Sequence, residues 1–234
     1  MIEIIPAIMP DSYDDLVQKA RKIVGVVPYA QIDVMDGKFV PSKSWPYNEG
    51  GGKQFKTMIE KEAVLPFSEE INYEIDLMVA DPETVVSDWI ALGARRIIIH
   101  IESCKKIPEI ISLLKERHLT QEDFTSTAPV EFGLALASGV SPEILTPYIH
   151  DIDFVQYMGI KKIGYQGESF DDGVLTQIKN LRQTCPHLIM SVDGGVNFDT
   201  APKLIHAGVS RLVSGSTIFN SIDIREAIFK LRQI

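Results

Sequence analysis

Eight apolar runs rich in Ile and Val alternate with eight amphipathic runs along the 234-residue chain, and few folds accommodate that rhythm. The strand-like runs are IEIIPAIM (2–9), YAQIDVM (29–35), NYEIDLMV (72–79), RIIIHIE (96–102), VEFGLALA (130–137), FVQYMG (154–159), LIMSVD (188–193) and RLVSG (211–215). Helix-like stretches begin near Ser12, Lys53, Pro82, Ile107, Pro142, Asp172, Asn197 and Phe219. Several starts carry helix-entry chemistry: Asp81 before Pro82, Ser141 before Pro142 and Glu143, and Asn197 ahead of Asp199 and Thr200. Gly25, Gly93 and Gly208 mark stops. Continuous branched aliphatics suit strands covered on both faces. Eight βα units without a composition break predict an α/β fold, a single (β/α)8 TIM barrel over 1–234, in preference to a doubly wound sheet. No GxGxxG follows the first strand, which weakens a dinucleotide-binding alternative.

Composition narrows the partners. A formal net charge of -9 disfavours nucleic acid, whose phosphates are bound by clustered Lys and Arg. No run approaches the roughly 18 apolar residues of a membrane span, and no basic segment precedes a long apolar one at the N-terminus. Cys104 and Cys185 stand far apart without metal-type spacing, as incidental thiols of a reducing compartment do. A cytoplasmic protein acting on a small molecule is expected, with neither nucleic acid nor membrane as partner.

Two strand ends carry the chemistry. QIDVMDG puts Asp33 two residues beyond Gln31, and MSVDGGV puts Asp193 before Gly194 and Gly195. An acid that closes an apolar run is costly unless it has a role. Side chains alternate along a strand, so Gln31 and Asp33 share a face, as do Asp76 and Met78. In a barrel, Gln31, Asp33, Asp76 and Asp193 would converge at the mouth, where acid/base chemistry resides. Asp36, ahead of Gly37, reads as a turn residue instead. Gly164 and Gly167, Gly194 and Gly195, and Gly215 with Ser216 follow the last three strands, and their backbone N–H groups suit a phosphate. Met35, Met78 and Met158 end three strands, as core or as an apolar wall around a reacting carbon. Among the histidines only His100 sits at a strand end as a pocket candidate, while His118, His150, His187 and His206 fall in helices or connectors. The long connections 42–54 and 161–172 leave the same face, and Gly50, Gly51 and Gly52 suit the first to act as a lid.

QIDVMDGKFVPS, EIDLMVADPE, GLALASGVSPEIL, GYQGESF, VDGGVNFDTAPKLIHAG and LVSGSTIF together resemble successive signature blocks of the ribulose-phosphate 3-epimerases, over nearly the full length. The resemblance implies a barrel of the ribulose-phosphate-binding type and inversion at C3 of a pentulose phosphate through a cis-enediolate. Two aspartates, at the positions of Asp33 and Asp193, exchange the proton. It also implies a divalent metal (Mg, Mn, Fe or Zn) held by those aspartates and two histidines, and association into homo-oligomers. Here Gln31 and Asp76 stand at the two histidine positions. Ala7 replaces the serine of strand one, and Lys161, Lys162 and Ile163 replace an Asn-Pro step. Gln31, Asp33, Asp76 and Asp193 form an all-oxygen set better suited to Mg²⁺, Mn²⁺ or Ca²⁺ than to Zn²⁺, and a site without metal stays open. Lys161 or Lys162 would be solvated loop residues, stand-ins for metal charge or contacts to a second anionic group.

The expected function is therefore an epimerase or isomerase of a phosphorylated ketose. The alternative is a catalytically silent sugar-phosphate binder. A lyase or decarboxylase on the same barrel is weaker, because no Asp-x-Lys-x-x-Asp array lies on a strand.

Overall fold

A computed structural model describes residues 2–120 and 129–234, the side chains of 117–120 excepted, so His118 lies outside the described side chains. Eight strands run β1 (Glu3–Ile8), β2 (Tyr29–Met35), β3 (Asn72–Met78), β4 (Arg96–His100), β5 (Glu131–Leu136), β6 (Phe154–Met158), β7 (Ile189–Asp193) and β8 (Arg211–Ser214). Each pairs in parallel with the next and β8 returns to β1, closing a (β/α)8 barrel with no free edge. The β2–β3 register sets Asp33 directly opposite Asp76, and the β6–β7 register sets Met158 opposite Asp193.

Outside the barrel lie α1 (Tyr13–Arg21), α2 (Gly51–Glu60), α3 (Val86–Ala91) after a 3-10 turn at Pro82–Thr84, α4 (Ile107–Thr120), α5 (Gly173–Thr184), α6 (Ala201–Ala207), α7 (Ser216–Phe219) and α8 (Ile224–Arg232). Ser12 Oγ accepts from the Asp15 N–H at 3.1 Å and Asp223 Oδ1 from the Glu226 N–H at 3.0 Å, caps worth about 1 kcal/mol each. The fifth connection differs from the eight-helix expectation: Pro142–Leu145 is a single 3-10 turn. Ser141 caps it as its entry signal predicts, but Pro147 follows at once and lacks the backbone N–H that a further turn of α-helix would use.

Most of the core lies between strands and helices, with Leu16, Tyr73, Trp89 and Leu204 fully buried. The barrel interior holds smaller apolar groups, Ile5 with Ala7 and Val213, and Ile98 with Ala135 and Phe154. Gly133 makes the second possible, since a Cβ there would fall 2.4 Å from the Phe154 ring. The end where the strands begin is plugged by ions. Arg96 pairs with Glu74 (3.0 Å), Glu131 (3.1 Å) and Glu3 (3.3 Å), and Arg211 with Glu131 (2.8 Å) and Glu3 (3.0 Å).

The connection 42–54 is not the free lid that its glycines suggest. Trp45 is buried against Tyr13, Phe55 and Trp89, with ring centroids 5.4, 5.6 and 5.8 Å away. Gly51 opens α2, where a Cβ would strike the Pro46 carbonyl oxygen at 2.7 Å. Burial of one indole outweighs the freedom of three glycines. The connection after β6 has the opposite character. Its base is clamped by the Gly159 N–H to the Asp193 carbonyl (2.7 Å) and the Asp171 N–H to the Gly159 carbonyl (2.8 Å), while residues 165–169 are exposed.

Candidate active site

The pocket at the strand C-termini is lined by Asp33 and Asp193, by Met9, Met78 and Met158, and by glycines of the last three βα connections. Asp33 is held by its own backbone. Ser44 Oγ donates to the Asp33 carbonyl at 2.7 Å and accepts from the Met35 N–H at 2.9 Å, so the 42–54 connection fixes the end of β2. Asp36 accepts from the N–H groups of Lys38, Phe39 and Ala80, the structural turn role expected of it.

Asp33, Asp76 and Asp193 are buried and bring one oxygen each within 4.8 Å of one another. Gln31, fully buried, spans two of them: its Nε2 donates to Asp33 Oδ1 and to Asp193 Oδ2, both at 2.8 Å. Gln31 Oε1 is left with no partner. Asp76 lies deeper, bonded at 3.0 Å to His100 Nε2 and at 3.3 Å to Gln156 Nε2, whose Oε1 accepts from Ser191 Oγ at 3.2 Å.

Burial, then the charges of Asp193 and Asp76, pushes the Asp33 carboxyl well above the usual range against the opposing hydrogen bond from Gln31. Asp193 is pushed up to about 7, by burial first and by Asp76 next, with the Gln31 and Gly194 donors opposing. Burial works against a charged His100, yet Asp76 outweighs it and the imidazole pKa ends above its ordinary value. His100 Nε2 thus meets Asp76 while its Nδ1 has no partner among the described residues, and Asp33 and Asp193 share the Gln31 donor and favour holding a proton between them.

Of the residues singled out in the sequence, Asp33, Asp193, Met78, Met158, Gly164, Gly167, Gly194, Gly195, Gly215 and Ser216 all border this pocket. Met35 and His100 do not. Met35 packs behind it with Val40 and Met78, and fully buried His100, at the end of β4, bonds to Asp76. Gln31 and Asp76 are likewise beneath the surface, in reach of the carboxylates rather than of the cavity. His150, His187 and His206 are exposed and outside the pocket. Gln156, Ser191, Ser44 and Gln166 went unnoticed in the sequence. A polar residue mid-strand on the face of Met158 was a usable signal for Gln156, whereas nothing local marks Ser44.

The oxygen donors fit a hard divalent ion. One oxygen from each of the three carboxylates lies within 4.8 Å of the others, near enough to share one octahedral ion. Rotation of the Gln31 amide would turn its unpartnered Oε1 toward them as a fourth oxygen. Zn²⁺ finds neither thiolate nor imidazole among these four residues, since the His100 ring is already bonded to Asp76 through Nε2.

Residues 3–219 match the ribulose-phosphate 3 epimerase family. The chain is 28% identical over 238 residues to the ribulose-phosphate 3-epimerase of Bacillus subtilis, covering 99% of each. It is 26% identical over 231 residues to that of Schizosaccharomyces pombe, covering 98% of this chain and 92% of the relative. Among solved structures it resembles 3-hexulose-6-phosphate synthase from Salmonella typhimurium, with TM-score 0.68, 15% identity and coverage of 99% and 97%. It also resembles 3-keto-L-gulonate-6-phosphate decarboxylase from Vibrio cholerae, with TM-score 0.66, 14% identity and coverage of 100% and 95%. At such identity these two attest the fold alone.

Proposed function

The chain belongs to the ribulose-phosphate 3-epimerase family, and from that premise we propose that it inverts one carbon of a phosphorylated ketose, with Asp33 and Asp193 exchanging the proton. The observation that carries this is the pair itself: two carboxyls from β2 and β7, bordering one pocket and joined by a single amide. One carboxylate removes the proton beside the carbonyl to give an enediolate, and the other carboxyl returns a proton to the opposite face. With both carboxyls raised above the usual range, one serves as base while its neighbour is protonated. Gln31 holds the two in register. Met78 and Met158 exclude water from the reacting carbon, and the backbone N–H groups near Gly195, Gly215 and Ser216 receive the phosphate.

Asp33, Asp76, Asp193 and Gln31 Oε1 would hold a divalent cation, with Mg²⁺ or Mn²⁺ preferred over Zn²⁺. Such an ion, when bound, supplies Lewis-acid stabilisation of the developing oxyanion.

The test is deuterium wash-in at C3, followed by NMR, with ribulose, allulose and related ketose phosphates in D2O, with and without Mn²⁺ or Mg²⁺. Exchange is expected, falling at least about a thousandfold in Asp33→Asn and in Asp193→Asn. Absence of exchange with every substrate and ion overturns the proposal. Stabilisation by those ligands without exchange would identify a silent binder instead.

A further inference from the structure

We propose that Gln166, on the tip of the connection after β6, is an anion-binding residue of this pocket, its side-chain amide nitrogen donating to the ligand's phosphoryl group. The inference rests on the phosphate placement given above and adds to it a side-chain donor carried by a movable segment.

The first observation is an interlock between two remote connections. A Cβ placed at Gly215, just past β8, would lie 2.6 Å from Gln166 Nε2 and 3.1 Å from its Cδ. The space that a side chain would take at 215 is therefore filled by the carboxamide of Gln166, over the start of the Gly215–Ser216 turn. No protein acceptor takes the backbone N–H of Gly215 or Ser216 among the described residues. Two free main-chain donors and a side-chain amide nitrogen thus stand together at one point of the pocket wall.

The second observation is what the pocket lacks. Among the described residues no Lys, Arg or His borders it, while Asp33, Asp193 and Glu168 do. Among the described bordering side chains other than the carboxyls, Tyr165, Gln166, Ser214 and Ser216 offer a hydrogen, and Ser214 Oγ already donates to the Val196 carbonyl at 3.0 Å. In a cavity walled by carboxylates, a neutral amide reaches an anion without adding a charge that the aspartates would capture. Gln166 is the one such amide in the wall.

The third observation is size. The cavity measures about 50 Å³, little more than one water's share of liquid and far below the roughly 300 Å³ of a small ligand pocket. Residues 165–169 are exposed, and positive φ angles at Gly164 and Gly167 flank Gln166. Ligand entry lifts this tip, and its return brings Gln166 down onto the anion.

The experiment titrates inorganic phosphate into the whole protein by calorimetry at fixed ionic strength, for the wild type, Gln166→Ala and Gln166→Glu, with melting curves to confirm folding. Loss of one hydrogen bond to a charged group predicts about tenfold weaker binding in the alanine variant. The glutamate variant keeps the size and opposes the anion, so about a hundredfold loss or more is expected. In turnover the same variants should raise KM for a ketose phosphate while leaving kcat within about threefold. Unchanged phosphate affinity in both variants overturns the inference. Tighter binding in the alanine variant also overturns it, marking Gln166 as a plug, and a wild type that ignores phosphate removes the cradle with it. Failure of the C3 exchange alongside a Gln166-dependent phosphate site would sink the epimerase proposal and leave this one standing.

Discussion

At the scale of single residues, Gln31 decides how the site differs from one built on imidazole. Its amide nitrogen donates to both Asp33 and Asp193 while its oxygen is idle, an arrangement that a hard cation would use after rotation of the amide. Gln31→His replaces that oxygen with nitrogen, and the expected outcome is a swing of at least about tenfold in the ratio of Zn²⁺ to Mn²⁺ affinity toward Zn²⁺. Competitive titration with elemental analysis reads it, and an unchanged ratio removes Gln31 from the ligand set. The sequence exposes Gln31 and Asp33 because strand alternation puts i and i+2 on one face, and it exposes Asp193 because an acid ends an apolar run. It conceals Gln166, whose role depends on meeting Gly215 from a loop 49 positions away. The absence of His100 and Met35 from the pocket wall was equally hidden, since alternation gives a face and not a depth.

At the scale of elements, the eightfold periodicity announces the strands, each of which pairs in parallel with the next to close the barrel. What it misjudges are connections decided by one contact. Trp45 turns a glycine-rich segment into packed structure, and Pro147 cuts the fifth helix to a turn. Arg182 is a third such contact. From α5 its Nη1 donates to the carbonyls of Leu188 (2.7 Å) and Pro186 (2.9 Å), and its Nη2 to that of Gly208 (2.7 Å) at the end of α6. One guanidinium therefore satisfies carbonyls of the connections that follow α5 and α6 and ties both to the start of β7. Arg182→Met should lower stability by about 2–3 kcal/mol, or roughly 5–10 °C in Tm. The lysine variant should recover little, because a point charge cannot serve diverging carbonyls. Thermal and urea melts give the answer, and a loss under about 0.5 kcal/mol would show that water replaces the guanidinium.

At the scale of the whole molecule, the barrel carries charge at both ends with apolar groups between them. The mouth gathers Asp33, Asp76 and Asp193, and the opposite end pairs its carboxylates with arginines as a plug. Glu74 is the fully enclosed member of that plug, faced by Arg96, Arg211, Glu3 and Glu131, with the Tyr29 ring stacked 3.5 Å from the Arg96 guanidinium. Its Oε1 has no partner, and burial outweighs Arg96, so its carboxyl is pushed up from 4.5 to about 7. A folded-state pKa above the unfolded one means that the folded chain binds more protons between these values. The contribution of Glu74 to stability is then full below about pH 4.5 and declines as pH rises through 7. Glu74→Gln keeps the shape and removes the titration, so its stability should fall less than that of the wild type between pH 5 and 8. The difference between the two profiles should be on the order of 3 kcal/mol, or about 5–10 °C in Tm. The raised aspartates at the mouth impose a slope of the same sign on both proteins, so it is the gap between the two curves that isolates Glu74. Denaturant melts across that range measure the gap, and parallel curves would mean that Arg96 keeps Glu74 ionised throughout.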